Sequence, residues 1–381
     1  MSRPIFAAEH DAFREEFAGF VRREIVAHND AWMQAGRVDR SMFAAAGAAG
    51  FLGRSLPRAY GGRDESDFRF SQIMLEEFEL AGVAGAGSGL GLHNDMALPY
   101  FRRYASEGQR ERWFAGLCTG ARIGAIAITE PGAGSDVAGI ATTATLEGDE
   151  YVLRGDKTLI GNGMNADLII VVARDPNSDR HRGMSLFVVE GGPDGLGRTM
   201  IPKVGRKAQD TADLAFDDVR VPRANVLGDP GAGFKQLMHN LPQERLNIAA
   251  AAVAASRYAF DLTLDYARER TAFGASIGSF QHTRFVLAEL GTEIEVGQAF
   301  VDDCVGRFNA GELTAERAAM AKLWCTELLA RVNDRCLQVH GGFGYTEASA
   351  ISWAWRDGRV TTIYGGTSEI MMEVVGRSYG L

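Results

Sequence analysis

Apolar residues recur at helical spacing over the first part of the chain. Phe13, Phe17 and the pair Phe20 and Val21 fall at steps of three and four, with charges between them, which is the signature of an amphipathic helix. Phe70, Ile73, Met74 and Phe78 repeat the pattern in a second helix predicted over residues 67–80. Between them, Pro57-Arg-Ala-Tyr-Gly-Gly62 breaks the period and reads as a loop.

The period changes near Ile123. Ile126 and Ile128 alternate with small residues. Residues 141–145 and 151–153 flank Glu147-Gly148-Asp149, which predicts a hairpin turn. Residues 168–173 and 184–189 are apolar runs of strand length, and residues 214–216 and 219–221 carry the β pattern to Pro222. Gly and Pro loops between these runs predict a small β-domain or barrel.

From about Gly231 the pattern is helical again. Leu287, Leu290, Ile294, Val301, Val305 and Phe308 form one stripe, and Ala- and Leu-rich stretches span residues 246–267 and 314–339. Several long amphipathic helices in succession predict a bundle. The organisation is α, then β, then α, with domains expected at residues 1–122, 123–225 and 226–381. No internal repeat or low-complexity linker interrupts it.

Composition narrows the function. The 381 residues suffice for two or three domains. Lys and Arg total 40 against 49 Asp and Glu, net −9, and form no basic block. Nucleic acid and anionic membrane surfaces are therefore not expected partners, while an anionic small ligand needs only a few local cations. The longest aliphatic run, residues 168–173, is too short to cross a bilayer. Cys118, Cys304, Cys325 and Cys336 form no CxxC pair and read as reduced thiols of a cytoplasmic protein. The N-terminal residues show no apolar signal core. His10, His28, His93, His181, His239, His282 and His340 make no HxxxH or HExxH pair, so no metal site is expected. GxxxxGK[ST] and GxSxG are both absent.

Two glycine-rich runs invite chemistry. Gly85-Ala-Gly-Ser-Gly-Leu-Gly91 resembles a dinucleotide fingerprint, but a helical pattern precedes it where a strand is required. The simpler reading is a small-residue segment for close packing of helices or of a slender ligand. Ala127-Ile-Thr-Glu-Pro-Gly-Ala-Gly-Ser-Asp136 runs from a strand into a turn. Its backbone N–H groups, with the Thr129 and Ser135 hydroxyls, suit a flat polar ring or a phosphate. Taken alone, it could also be only a tight turn.

This last run closely resembles the acyl-CoA dehydrogenase signature. Arg270-Thr-Ala-Phe-Gly274 with Gln281, Gln338-Val-His-Gly-Gly-Phe-Gly-Tyr345 and Tyr364-Gly-Gly-Thr-Ser-Glu-Ile370 resemble further motifs of that family, in the same order. The resemblance implies an α+β fold: an N-terminal helical domain, a middle β-barrel-like domain and a C-terminal four-helix bundle. It implies FAD, an acyl-CoA or acyl-carrier substrate, an electron-transferring flavoprotein as acceptor, a homotetramer built as a dimer of dimers, and a role in fatty-acid β-oxidation.

The motif match also implies roles. Ile126, Ala127, Ile128, Thr129, Gly134 and Ser135, with Leu159, Ile160 and Gly161, would touch the flavin part of FAD. Thr367, Ser368 and Glu369 would also touch FAD. Arg270, Phe273, Gln281, Gln338, Val339, His340, Gly341 and Gly342 would serve the diphosphate and adenosine end of a partner's FAD. Ser135, Arg245 and Gly366 match acyl-CoA contacts.

The reaction so implied is α,β-dehydrogenation. A carboxylate removes the proton beside the thioester carbonyl while the β-hydrogen leaves as hydride to flavin N5, giving a trans-2-enoyl thioester. Many members carry that carboxylate in the YxGT motif, where this chain has Gly365. Leu241-Pro-Gln-Glu-Arg-Leu246 resembles the long-chain type, whose base lies on a C-terminal-domain helix. That makes Glu244 the expected base and Gly365 a backbone donor to the thioester oxygen. A solvated helix-surface Glu is the alternative for Glu244. Two departures stand beside the flavin: Leu159 replaces a common aromatic, and Gly161 replaces a hydroxyl residue. A branched aliphatic can cover the ring, or the change can favour an oxidase or monooxygenase on the same fold. A carrier-linked desaturating enzyme and a flavin-free scaffold are the remaining readings.

Overall fold

Among the described residues, seven α-helices build the first third of the chain: α1 (Ala8–Phe20), α2 (Asn29–Ala35), α3 (Ser41–Ala48), α4 (Phe68–Leu80), α5 (Ala84–Gly91), α6 (Leu98–Tyr104) and α7 (Glu107–Thr119). The computed structural model describes residues 3–178 and 180–381, apart from the side chains of residues 180 and 181, so His181 lies outside the described side chains. The two predicted helices are α1 and α4, and their apolar stripes face each other. Phe17 meets Phe78 edge-on at 5.3 Å, and all four predicted residues of α4 are buried. Asp67 starts α4 by accepting a hydrogen bond from Arg69 N.

The glycine run 85–91 lies inside α5, directly after a helix, which excludes the dinucleotide reading. Its glycines serve packing. A Cβ at Gly87 would sit 2.3 Å from the Phe78 ring. A π-helical turn, Leu92–Ala97, joins α5 to α6.

The middle domain is a seven-stranded sheet: β1 (Gly124–Ala127), β2 (Thr143–Glu147), β3 (Glu150–Gly161), β4 (Leu168–Arg174), β5 (Met184–Glu190), β6 (Leu196–Met200) and β7 (Thr211–Pro222). The order is β1-β4-β2-β3-β7-β6, and β5 pairs with β4 along its other edge. β1 runs parallel to β4, with Gly124 opposite Leu168, whereas the β2–β3 hairpin and the β3–β7 ladder are antiparallel. Residues of β4 and β5 alternate between two cores. Ile170, Val172, Leu186 and Val188 pack with Phe101 and Trp113 of α6 and α7. Ile169, Val171, Phe187 and Val189 pack with Leu153, Leu214 and Val219 of β3 and β7. The sheet is therefore curled over its own inner core. Its ladder is open, with β5 and β6 as edges, so barrel-like holds for the curvature and not for closure.

The last third comprises α8 (Gly233–Glu269), α9 (Gln281–Asn309), α10 (Ala315–Gly344), α11 (Ala350–Gly358) and α12 (Ser368–Ser378). The predicted α9 stripe from Leu287 to Val305 is buried against α8 and α10. The shorter α11 and α12 pack on α10 and fill the fourth position of the bundle. Gly341, at φ +61 and ψ −147, breaks α10 near its end. A two-stranded ribbon, β8 (Thr271–Ala272) and β9 (Ala275–Ser276), separates α8 from α9. This ribbon, β6, and the extension of β3 through Gly161 were not predicted.

Candidate active site

Glu244 projects from α8 into the interior and is only 5% exposed. It is not a solvated surface residue. Tyr100 Oη, from α6, donates to its Oε1 at 2.9 Å. Burial raises the Glu244 carboxyl to about 7, against the opposing effects of the Tyr100 hydrogen bond and the Arg245 charge. A carboxyl titrating near neutrality has the poise of a general base. Arg245 is also buried, and its Nε has no hydrogen-bond partner among the described residues.

The loop before α12 lies against the same face of α8. Gly365 and Gly366 take φ values of +66 and +95, which favour glycine. A Cβ at Gly365 would stand 2.3 Å from Cδ1 of Ile248. Ile248 follows Glu244 by four residues and therefore shares its helix face. The fold thus brings Gly365 beside the Glu244 face, although 121 positions of sequence separate them. Thr367 caps α12 by accepting from Ile370 N at 3.3 Å. Ser368 is buried, and its hydroxyl donates to Glu327 at 2.5 Å, so its proton is already engaged. Glu369 is exposed in the first turn of α12.

β1 delivers the second wall. Ala127 is buried, while Gly134 and Ser135 are exposed in the turn that follows. The turn closes on itself through Glu130 N to Ala133 O at 3.0 Å and Ala133 N to Glu130 O at 3.1 Å. The Glu130 carboxylate turns inward, where it accepts from Thr142 N at 3.0 Å and from Lys157 Nζ at 2.7 Å. Lys157 Nζ also donates to Ile128 O at 2.9 Å. Burial pulls Lys157 down to about 8, with Glu130 opposing. Burial pushes Glu130 up, but Lys157 and the backbone donors outweigh it, and its carboxyl lies below the ordinary value.

β3 brings Leu159, Ile160 and Gly161 alongside, tied by Thr158 N to Thr129 O at 2.9 Å. The β3–β7 register shifts between Lys157 and Ile160, and at that bulge Leu159 adopts φ +61. Its side chain is 61% exposed, while Ile160 is buried. A Cβ at Gly161 would meet Leu92 Cδ1 at 2.3 Å, so a larger residue here would require the Leu92 side chain to shift.

A second group gathers at the other end of α8. Arg270 follows α8, and Phe273 and Gly274 turn the ribbon with positive φ at both positions, a hairpin turn that leaves Phe273 98% exposed. Gln281 opens α9, and Gln338, Gly341 and Gly342 are exposed near the end of α10, with Val339 half-buried. His340 differs: its ring is turned inward, stacks on Tyr266 at 4.2 Å and meets Thr263 Oγ1 at 3.2 Å. Arg270, just past the end of α8, lies 26 residues beyond Glu244, or about 39 Å along a helix. The two groups therefore do not form one compact site within a single chain.

The first group suits a flat isoalloxazine ring. Pro131, Gly132, Gly134 and Ser135 are exposed, open space lies beside Gly132 and Gly134, and Leu159, on the neighbouring strand, offers an uncovered apolar surface. Gly341 and Gly342 are equally open at the second group. Among the described residues no cluster of His, Cys, Asp or Glu could hold a metal ion. No helix there is long and apolar enough to cross a membrane.

Acyl-CoA dehydrogenase family models match the chain in three consecutive stretches. The N-terminal domain covers residues 7–121, the middle domain 125–219 and the C-terminal domain 231–380. The chain belongs to the acyl-CoA dehydrogenase family. The mitochondrial long-chain specific acyl-CoA dehydrogenase of Sus scrofa is 43% identical over 380 residues, spanning 98% of this chain and 87% of the pig protein. The crystal structure of an acyl-CoA dehydrogenase from Geobacillus kaustophilus superposes with a TM-score of 0.97 at 43% identity, covering all of both chains. A probable acyl-CoA dehydrogenase from Mycobacterium abscessus gives 0.95 at 35% identity, over 99% of this chain and all of that one.

Within this acyl-CoA dehydrogenase, sequence reasoning missed Tyr100, Ile248 and Lys157. Tyr100 lies 144 positions from Glu244, and nothing in Leu98-Pro-Tyr-Phe101 marks it. Lys157 lies beyond the strand expected at residues 151–153, so no local pattern marked it.

Proposed function

We propose that this acyl-CoA dehydrogenase uses Glu244 to take the α-proton of a fatty-acyl thioester. The observation that supports this most is a buried carboxyl near neutral pKa, set on the helix face that meets Gly365. FAD, the family's cofactor, supplies the acceptor for the β-hydrogen as hydride. Ile126 to Ser135 and Leu159 to Gly161 would hold its flavin end, with Thr367 and Glu369 alongside. For Ala127, Ile160 and Ser368, the burial of the side chain leaves the backbone to make the contact.

The chain's own work is positioning and proton transfer. Gly365 presents a backbone N–H to the thioester oxygen, where negative charge develops as the α-proton leaves. Burial keeps Glu244 basic enough to act, and Tyr100, donating to its carboxylate form, keeps it acidic enough to be ionised near neutral pH. Ser135, Arg245 and Gly366 are assigned to the acyl-CoA. The unpartnered Arg245 Nε favours that assignment, because a buried donor without a partner suits a polar ligand.

The acyl group is proposed to be long, as in the long-chain relatives. A cavity of about 340 Å3 lies farther along α8, lined by Gly82, Ala84, Gly85, Ala255 and Tyr258. Ala255 is about three helical turns beyond Glu244, the direction a long tail would take between α5 and α8.

Arg270, Phe273, Gln281 and residues 338–342 are assigned to the FAD of a neighbouring subunit, with the His340 ring supporting them from inside. Their distance from Glu244 favours this, as does the exposure of Phe273, Phe285 and Tyr345. A homotetramer follows as the proposed assembly, an electron-transferring flavoprotein as the acceptor, and fatty-acid β-oxidation as the setting. The four cysteines are unpaired and buried, in keeping with a reducing, cytoplasmic location. Domain limits near residues 122 and 225 are part of the same reading.

Anaerobic titration of the yellow protein with acyl-CoAs of graded length tests the proposal. Bleaching of the oxidised flavin band, strongest with long chains, is expected. A flavin that no acyl-CoA bleaches anaerobically, but that consumes oxygen with another substrate, would replace this reading with an oxidase or monooxygenase.

A further inference from the structure

Lys322 is a charged residue with no role in the account so far. It lies on α10 and is fully buried, and its Nζ donates to the carbonyl of Gly366 at 2.7 Å. Five positions along α10, Glu327 accepts from Ser368 Oγ at 2.5 Å. One helix therefore grips the loop on both sides of Thr367. The grip matters because Gly365 and Gly366, both at positive φ, have wide backbone freedom and no side chains of their own to hold them. On its other side the loop rests on Ile248 of α8, one turn from Glu244.

We propose that Lys322 is a positioning residue, which fixes the Gly365–Gly366 backbone so that its N–H donor stays aimed at the thioester oxygen while Glu244 removes the α-proton. This rests on the dehydrogenase reading above. Burying an ammonium is costly unless it is paired or hydrogen-bonded, so a plain packing role would suit an apolar residue better. The charges facing Lys322 are Glu327 on its own helix, Arg245 on α8 and Glu369 on α12. Burial lowers Lys322 to about 8, Glu327 and Glu369 oppose the shift, and Arg245 adds to it. The bond to Gly366 O thus holds the ammonium against a nearby cation, and the same bond orients the loop.

The role predicts a rate effect without a binding effect. A donor misaimed by a fraction of an ångström costs transition-state stabilisation, while ground-state contacts with the rest of the acyl-CoA persist. The test is α-hydrogen exchange in D2O, with the holoenzyme reduced by dithionite so that net oxidation is blocked. Glu244 then removes a proton from Cα, the flavin takes no hydride, and a deuteron returns from solvent to Cα. Mass spectrometry of a saturated long-chain acyl-CoA reads the incorporation.

For Lys322→Met the exchange rate should fall ~10- to 100-fold, with flavin content, melting temperature and acyl-CoA Kd close to wild type. Lys322→Arg, which keeps charge and donors, should recover part of the loss. If the Met variant does not fold, Lys322→Gln carries the test, with a loss of ~10-fold expected. Exchange equal to wild type in either folded variant overturns the proposal, as does a loss that appears only in Kd. Absence of exchange in wild type would instead count against the dehydrogenase reading, so the two failures are distinct.

Discussion

Tyr100 Oη and Glu244 Oε1 are 2.9 Å apart, and both side chains are buried. The phenol comes from the short α6 in the helical first third of the chain, the carboxylate from α8 in the last. The base of the proposed reaction is therefore tuned across the interface between the two helical domains. Burial alone favours the neutral carboxyl, and the tyrosine donor favours the charged one. Burial also lifts Tyr100 well above the ordinary phenol range, with the Glu244 charge adding to the shift, so Tyr100 remains a donor at any working pH.

Tyr100→Phe removes the donor and leaves the burial. The Glu244 carboxyl then ionises at higher pH than in the wild type, where it titrates at about 7. Anaerobic flavin reduction, followed against pH, should rise along an acidic limb displaced to higher pH. Rates should be ~3- to 10-fold below wild type between pH 6 and 7 and converge as Glu244 becomes fully ionised. An unchanged limb would remove Tyr100 from the tuning.

The same carboxyl links stability to pH. Its folded pKa is raised above the unfolded value, so the stabilisation is fully present below about 4.5 and is lost as pH rises through about 7. Glu244→Gln has no such proton to lose. Relative to that variant, wild type should lose stability on the order of 3 kcal/mol between pH 5 and pH 8. Urea unfolding of the two proteins at both pH values measures the difference. Taking the difference cancels the opposite trend from Lys157 and Lys322, whose lowered values favour the folded state as pH rises.

The carboxylate should not transfer freely to the loop. In Glu244→Gln with Gly365→Glu, the new side chain meets Ile248 Cδ1 and stands at a φ of +66. That pair should recover less than ~1% of wild-type flavin reduction. Adding Ile248→Ala clears the space and should raise the rate ~10-fold or more over the pair. Equal rates with and without Ile248→Ala would show that Ile248 does not restrict this position.

Lys157 and Glu130 hold the turn expected to meet the flavin. Lys157→Met leaves the Glu130 carboxylate buried among backbone donors without its cation. Breaking a buried pair from one side costs about 3–5 kcal/mol. Chemical denaturation of the holoenzyme should show that loss, together with weaker flavin retention. The pair Lys157→Met and Glu130→Gln should be less damaging than Lys157→Met alone.

Much of the architecture was legible because its signals are local and periodic. The stripe from Leu287 to Val305 needed only spacing to announce α9, and the alternation at Ile126 and Ile128 announced β1. β6 was not legible: Leu196-Gly-Arg-Thr-Met200 is mostly exposed on an edge, so no buried face imposes a pattern on it. The expected β3 stops at Leu153, where the register shifts and Gly155, at φ +140, interrupts the alternation. At the site, the motifs marked Glu244 and Gly365, while Tyr100, Ile248 and Lys322 stayed hidden. Their roles arise from packing between distant elements, which no local spacing records.

The most direct measurement is anaerobic stopped-flow reduction of the flavin by a long-chain acyl-CoA, in wild type and in Glu244→Gln. The variant keeps the volume and hydrogen-bonding shape of the side chain and loses only the base. It should bind FAD and acyl-CoA as wild type does and reduce its flavin ~10²- to 10⁴-fold more slowly. Reduction at the wild-type rate in Glu244→Gln would contradict the account, because the α-proton would then have to leave through another group.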